Sequence, residues 1–451
     1  MERLLKICVD KSKARVGDLA RVPRHISEYL LTKFDGDTLK ASNFIAKYCP
    51  PRSESNVILH RLMMGEPMIL FDEVYVEPLP RLGIYAVRFS NLDLGDVYTI
   101  SKVIRSNSML RHGAWGTFRL EYDADGALLD KPAVIMTGFS PLETSEADAG
   151  ELMALRREMG LEEWMKLLMN TCGMNPDYFT PRQRLIYLAR LLPLVEENLH
   201  MIELGPRATG KTYVYRNLSR YTRIFSGGGI SSAVLFYNVA YKIPGELAVR
   251  DTIIFDEVSR IEFPDPHEVV GKLKDYLESG MYERGTARLV RSGCSLVMQG
   301  NIDGDYDDWD RVLPRSLREP ALLDRIAGLL PGWELPKITS QALSAGIGVS
   351  ADYFSEYMHQ LRSLTFSRII AESVEIVGDP SIRDERAVLK IASAMYKLLR
   401  PDALASGEPD KEVLEVSMDL AVELRNRIRE KLHEMIPSEF PGKPLEWRFK
   451  P

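Results

Sequence analysis

Apolar positions change period several times along the chain, and each change predicts a different kind of element. Through the first fifty residues, HISEYLLTKF and SNFIAKYC carry helical spacing, and Pro50-Pro51 followed by RSESN marks a break. Residues 1–55 therefore read as a helical segment. From Asn56 to Leu142 the texture shifts to short β-type runs: MILFDEVYVE, GIYAVRFSN, DVYTISKVI, GTFRLEYD and AVIMTGF. Turn signals at Pro80, Asn91, Gly95, Gly113 and Asp125-Gly126 separate them. That many short strands in one stretch, residues 56–145, predicts a small barrel or sandwich. Residues 146–200 return to helical spacing and form a linker. Within it Thr180-Pro181, a capping hydroxyl followed by proline at the first helical position, opens PRQRLIYLARLLPLVEEN. Apolar runs with helices between them follow over 201–335, an α/β pattern. Helical stretches then fill 336–405, and an amphipathic helix from Lys411 to Met435 with a Pro-rich tail completes 406–451.

A chain of 451 residues exceeds one hydrophobic core and predicts roughly two to four domains. Its 45% hydrophobic and 27% charged residues exclude wholesale disorder and a collagen-like or disulfide-knot design. No run approaches the ~18 apolar residues of a spanning helix, and the first residues lack a signal-peptide pattern. Cys8, Cys49, Cys172 and Cys294 stand far apart without a CxxC pair, which predicts reduced structural thiols in a cytoplasm rather than a zinc cage. A net charge of −6 means that any nucleic-acid surface must be local. One candidate is the β-rich stretch, where Lys102, Arg105, Arg111, His112 and Arg119 gather beside Tyr98, Trp115 and Phe118. Basic and aromatic residues together hold DNA by phosphate contact and stacking, although a solvated face beside core aromatics would have the same composition.

The chemistry concentrates further on. Gly205-Pro206-Arg207-Ala208-Thr209-Gly210-Lys211-Thr212 fits G-x-x-x-x-G-K-[ST] at every fixed position, with an apolar run before it and the helix-compatible TYVYRNLS after it. Glycines let backbone N–H groups close around phosphate oxygens, Lys211 neutralises the β/γ-phosphates, and Thr212 ligates Mg2+. The expected ligands are ATP and Mg2+. Downstream, Ile253-Ile254-Phe255 would form a buried strand ending in Asp256, a Mg2+ ligand, and Glu257, which would polarise the attacking water. The same form recurs at Ile69-Leu70-Phe71-Asp72-Glu73, but far ahead of the phosphate loop, so it belongs to the β-rich part and takes no catalytic role. CSLVMQG ends at Asn301, an amide placed to orient water or sense the γ-phosphate. Arg325, in ALLDRI, suits stabilisation of spread transition-state charge, or else a surface ion pair with Asp324 or Glu319. Arg383, with Arg386 as the alternative, would lean over the phosphates from a helical lid.

The order of these motifs resembles that of AAA+ ATPases over residues 180–400. SGGGISS at 226–232 is similar to the segment leading into the helix-2 insert of MCM-type helicases. The stretch from Ser279 to Arg291 lies where MCM-like proteins carry a pore hairpin. GPRATGKTYVY, FDEV, YLESGMYERG, QGNI and LLDRIAGLLPGWELP together resemble the BrxL family, the Lon-like ATPases of bacterial BREX phage-defence systems. The resemblance implies an α/β fold: an AAA+ phosphate-loop core with a helical lid, preceded by a helical segment and a small barrel-like β-rich domain. It implies a hexamer or double hexamer around double-stranded DNA, and other BREX proteins as partners. By position Asn301 matches sensor 1, Arg325 the finger given to a neighbouring subunit, and Arg383 sensor 2. Longer members of the family carry a Lon-type Ser/Lys protease domain. About fifty residues follow the lid here and no P-x-D-G-x-S-A-G sequence is present, so no intrinsic peptidase is expected.

The hairpin also has a reading of its own. Arg284, Arg288 and Arg291, with Gly285 for the turn, would line a pore with cations that follow phosphates and weaken with salt, or stand solvated on an exposed hairpin. The expected function is a DNA-encircling ATPase. A protein unfoldase feeding a separate protease, with Met281-Tyr282 as its gripping element, and an ATP-switched DNA scaffold are the alternatives.

Overall fold

A computed structural model describes residues 7–104, 108–111, 113–142, 148–240, 242–285, 287–304, 306–405 and 409–451, with Ser108, Arg111, Ala287, Arg288, Leu404 and Ala405 described by their backbone alone. Arg105 and His112 of the basic-aromatic group lie outside the described residues. The chain divides into two units, Lys13–Ser145, and Met1–Ser12 with Glu146–Pro451. Among the described residues no helix is long and apolar enough to cross a membrane.

In the first unit, helices Arg24–Lys33, Thr38–Tyr48 and Ser55–Met63 precede five strands. These are β1 (Met68–Leu79), β2 (Ile84–Phe89), β3 (Val97–Thr99), β4 (Ala114–Asp123) and β5 (Ala133–Pro141). They close a barrel in the order β1-β2-β3-β5-β4, antiparallel except for the β3–β5 pair. The period-2 pattern decides which side chains fill it. Leu70, Val74 and Val76 join Val87, Phe118, Leu120 and Met136 in one cluster. Phe71 points the other way and packs on Phe44 and Trp115, with ring centroids 5.3 Å away in each case. Asp72 is fully buried. Its carboxylate accepts the backbone N–H groups of Glu73, Asn91 and Leu92 and the Asn91 side-chain amide, all within 2.8–3.1 Å. The second Asp-Glu motif is thus a structural clamp on the chain that leaves β2.

The second unit is built on a parallel sheet of β6 (Met201–Gly205), β7 (Thr222–Gly229), β8 (Thr252–Glu262), β9 (Ser295–Asn301) and β10 (Gly328–Pro331), in the order β10-β6-β9-β8-β7. Strands β8 and β9 carry the apolar runs Ile253-Ile254-Phe255 and Leu296-Val297-Met298 because both faces are covered there. Ile253, Phe255, Leu296 and Met298 enter one core cluster, while Ile254 and Val297 enter the other. Helices α1 (Lys211–Leu218), α2 (Pro266–Ser279), α3 (Ile382–Leu399) and α4 (Lys411–Met435) are the ones that matter for the site. The long helix α4 has a purpose visible in its contacts: Leu414 to Leu424 pack in the first cluster, and Ile428 and Leu432 in the second.

Two short strands depart from expectation, one in the N-terminal segment read as helical and one in the Pro-rich tail. Cys8–Asp10 is a strand paired antiparallel with Ile347–Val349, and Glu446–Phe449 pairs with Val374–Val377. Each is only three or four residues long, and a distant partner, not a local pattern, makes it a strand.

Candidate nucleotide site

Open parallel sheets bind ligands beyond the carboxyl ends of their strands. At that edge β6 runs into the phosphate-type loop, and the register sets Asn301, the tip of β9, beside Gly205. Lys211, first residue of α1, turns back under the loop. Its Nζ donates to the carbonyls of Gly205 and Pro206, at 2.8 Å each, and to Asn301 Oδ1 at 3.0 Å. The Thr209 hydroxyl also donates to the Pro206 carbonyl, at 3.2 Å. Ala208 and Gly210 both take left-handed φ, 65° and 77°, which curls successive N–H groups toward a common centre. Gly205 is required by close packing: a Cβ there would lie 2.4 Å from the carbonyl carbon of Gly332. Burial pulls the Lys211 ammonium below its ordinary value; Glu203 and Asp256 oppose that pull and Arg190 adds to it.

The carboxylate pair stands across the same edge. Thr212 Oγ1 donates to Asp256 Oδ2 at 3.0 Å, joining the start of α1 to the end of the apolar part of β8. Hydroxyl and carboxylate are hard oxygen donors of the kind Mg2+ takes alongside water and phosphate, so Thr212 and Asp256 fit that ion. Past Asp256 the strand bulges. Five residue steps, Asp256 to Ile261, face two on β7, Ser226 to Gly228, and Glu257 adopts φ 48°. A left-handed glutamate costs about 1–2 kcal/mol, and bulges re-aim side chains beside active sites. Glu257 is half-exposed and paired with Arg260 at 2.8 Å.

Arg325 and Arg383 lie elsewhere. Gly328, which opens β10, pairs with Met201, four residues before Gly205 and roughly 13 Å away along the strands. Arg325 precedes Gly328, at the end of the sheet remote from the loop. There Glu278, in the last turn of α2, receives Arg325 at 3.3 Å, Arg383 at 2.8 Å and Arg386 at 3.4 Å, and Arg383 also reaches Asp324 at 2.6 Å. Neither Arg383 nor Arg386 leans over the phosphate loop of its own chain. The first turn of α3 is anchored through Asp384 to the buried Arg425 of α4, which also holds Asp324, and this fixes α3 at the opposite edge.

The expected hairpin is present: Met281–Arg284 and Ala287–Arg291 pair around Gly285, whose φ is 59°. Its arginines are not equivalent. Arg284 folds back on Glu268, at 3.1 Å, and on the Tyr237 carbonyl, whereas Arg291 is exposed. Tyr282 is buried, with its hydroxyl on the Phe236 carbonyl.

Sequence reasoning passed over a buried group beneath the loop, Arg190 with Glu203 and Gln299. The signal was available in MIELG: a lone carboxylate inside an apolar strand demands a cation.

A parallel sheet whose strand ends gather a lysine-bearing loop, a hydroxyl and paired carboxylates has the make-up of an ATPase core. The profile of the Lon-like protease BrxL-like ATPase domain matches residues 134–446, and that of the BREX system Lon protease-like protein BrxL N-terminal region matches residues 6–122. The chain belongs to the BrxL family. It is 30% identical over 442 residues to the Lon-like protease BrxL of Escherichia coli, covering 93% of this chain and 62% of that relative. To the Lon-like protease BrxL of Bacillus cereus it is 29% identical over 444 residues, covering 94% of this chain and 65% of the relative. The chain thus spans less than two thirds of the length of these relatives.

Proposed function

We propose that this protein is a cytoplasmic, DNA-binding AAA+ ATPase of a BREX-type phage-defence system. It assembles as MCM-like hexamers or double hexamers around double-stranded DNA and couples ATP hydrolysis to DNA binding or movement. The observation that carries the reading is the pair of hydrogen bonds Lys211–Asn301 and Thr212–Asp256, which draw the ends of β6, β8 and β9 onto one phosphate-type loop. The loop N–H groups and Lys211 bind the β- and γ-phosphates. Thr212 and Asp256 hold Mg2+, which supplies charge neutralisation when bound. Glu257 accepts the proton of the attacking water and Asn301 orients that water. Arg325 and Arg383 share one acid at the far end of the sheet, so they serve the nucleotide of an adjacent subunit.

Support for DNA as partner comes from the barrel, whose five strands and Greek-key closure are those of oligonucleotide-binding folds, and from the exposed Arg291. The unfoldase alternative is disfavoured because Tyr282, the aromatic that would grip polypeptide, is buried. We assign no peptidase to these residues, since α4 is consumed in packing the sheet. Steady-state ATP hydrolysis with and without long duplex DNA, with negative-stain images of the same samples, tests the reading. Stimulated turnover with rings on duplex supports it. Turnover raised by unfolded protein and indifferent to DNA overturns it, while DNA binding without movement favours the ATP-switched scaffold.

A further inference from the structure

The carbonyls of a phosphate-binding loop must turn outward for its N–H groups to turn inward, and a buried or half-buried carbonyl needs a donor. Two such carbonyls here have donors from outside the loop. The Ala208 carbonyl accepts the Ile338 N–H at 2.7 Å, and the Thr209 carbonyl accepts Arg190 Nη1 at 3.0 Å. A trans peptide sets its C=O and N–H on opposite sides. Holding the Thr209 carbonyl toward Arg190 therefore directs the Gly210 N–H into the cradle.

Arg190 is unusually well fixed for this task. It is fully buried, and Nε and Nη2 both donate to Glu203 Oε1, at 2.9 and 2.6 Å. Glu203, itself buried, is held on its second oxygen by Gln299 Nε2 at 2.8 Å. The Tyr187 ring lies 4.9 Å from the guanidinium, and the Tyr215 hydroxyl of α1 donates to the Arg190 carbonyl at 2.8 Å. Burial opposes the charged guanidinium most strongly of all, but Glu203 together with Tyr187 and Tyr215 holds Arg190 above its ordinary value. A buried ion pair of this kind is poor value for stability alone. Its third contact, to the loop, is what an apolar pair could not provide.

The geometry points to Arg190 as a positioning residue for phosphate binding: the Glu203–Arg190 pair orients the Thr209–Gly210 peptide so that Gly210 N–H meets the nucleotide. The inference rests on the assignment of the loop as the ATP site. It makes the segment before the sheet part of that site through the contact of Arg190 with the loop.

Two variants test it. Arg190→Lys keeps a charge for Glu203 but cannot span both Glu203 and the Thr209 carbonyl. Arg190→Leu with Glu203→Leu removes the pair together, an exchange buried pairs often tolerate. Both are compared with the parent for thermal unfolding, for equilibrium binding of a fluorescent ATP analogue, and for KM and kcat. Loss of one aimed donor, present in ground and transition states alike, should weaken binding and raise KM about tenfold with kcat within twofold of the parent. A folded variant with parental affinity overturns the proposal, as does loss of fold in both variants, which would assign the pair to the core. Lys211→Ala separates failure of the site from failure of the positioning role. If that variant binds nucleotide like the parent, the site assignment itself fails, whereas weak binding by Lys211→Ala beside parental binding by Arg190→Lys refutes only the role of Arg190.

Discussion

Arginines that cannot reach their own phosphate loop should be rescued by a neighbour. Arg325 stands before β10, whose first residue is level with Met201, and roughly 13 Å of strand separates that level from Gly205. An arginine side chain does not bridge that gap, and Glu278 holds it at its own end. Arg325→Ala should therefore leave ATP affinity intact and lower turnover on the order of 10³-fold, the loss typical of a missing arginine finger. Lys211→Ala should fail for the opposite reason, with an intact Arg325 and no phosphate grip. Mixed one to one, subunits that assemble at random restore a competent site wherever an intact loop meets an intact arginine, at about a quarter of head-to-tail interfaces. The assay is steady-state hydrolysis across mixing ratios at fixed total protein. A maximum near equal mixing, approaching a quarter of the parental rate, is expected. Mixtures no more active than either variant alone would refute the reasoning and return Arg325 to a surface ion pair.

Other outcomes follow from the same geometry. Thr212→Ala should raise the Mg2+ concentration for half-maximal hydrolysis by about tenfold or more, measured by metal titration, since only Asp256 then remains of the oxygen pair. Arg291→Ala should weaken duplex binding across sequences and reduce the slope of log affinity against log salt by about one for each phosphate left without its cation, whereas Arg284→Ala should do less because Glu268 already engages that side chain. Burial pushes the Asp72 carboxyl up to about 6, above its unfolded value near 3.9, so the folded barrel binds that proton more tightly. Stability from this group is then greatest below about pH 4 and falls as pH rises to 6, by about 2–3 kcal/mol. Urea titrations of the full chain at several pH values, read by proteolysis within residues 13–145, check the sign.

What was legible in the sequence was whatever a short window contains. The barrel strands announced themselves by alternation, and the structure has a strand at each predicted run, though DVYTISKVI yields only Val97–Thr99 before the chain turns into a short helix at Ser101. Helix α4 was visible from Lys411 to Met435 because its apolar stripe is uninterrupted. The motif residues of the loop, Asp256, Glu257 and Asn301 could be named because strand ends at one sheet edge put chemistry at fixed offsets from apolar runs. Long-range pairing was not legible. Cys8–Asp10 is a strand only through residues 347–349, and Arg190 gains its meaning from Glu203 and the Thr209 carbonyl. Arg383 shows the limit most clearly: its helix was foreseen, but the anchor that places it, Asp384 on Arg425, joins two helices whose packing no local pattern encodes.

If Lys211, Thr212, Asp256, Glu257 and Asn301 form one ATP-hydrolysing site, Glu257→Gln should separate binding from turnover. Glutamine keeps the shape of the side chain at a left-handed position but cannot accept the proton of water. This variant should bind ATP with parental affinity in an equilibrium assay and turn it over about 10²–10⁴-fold more slowly in a single-turnover assay. Hydrolysis at the parental rate would contradict this assignment.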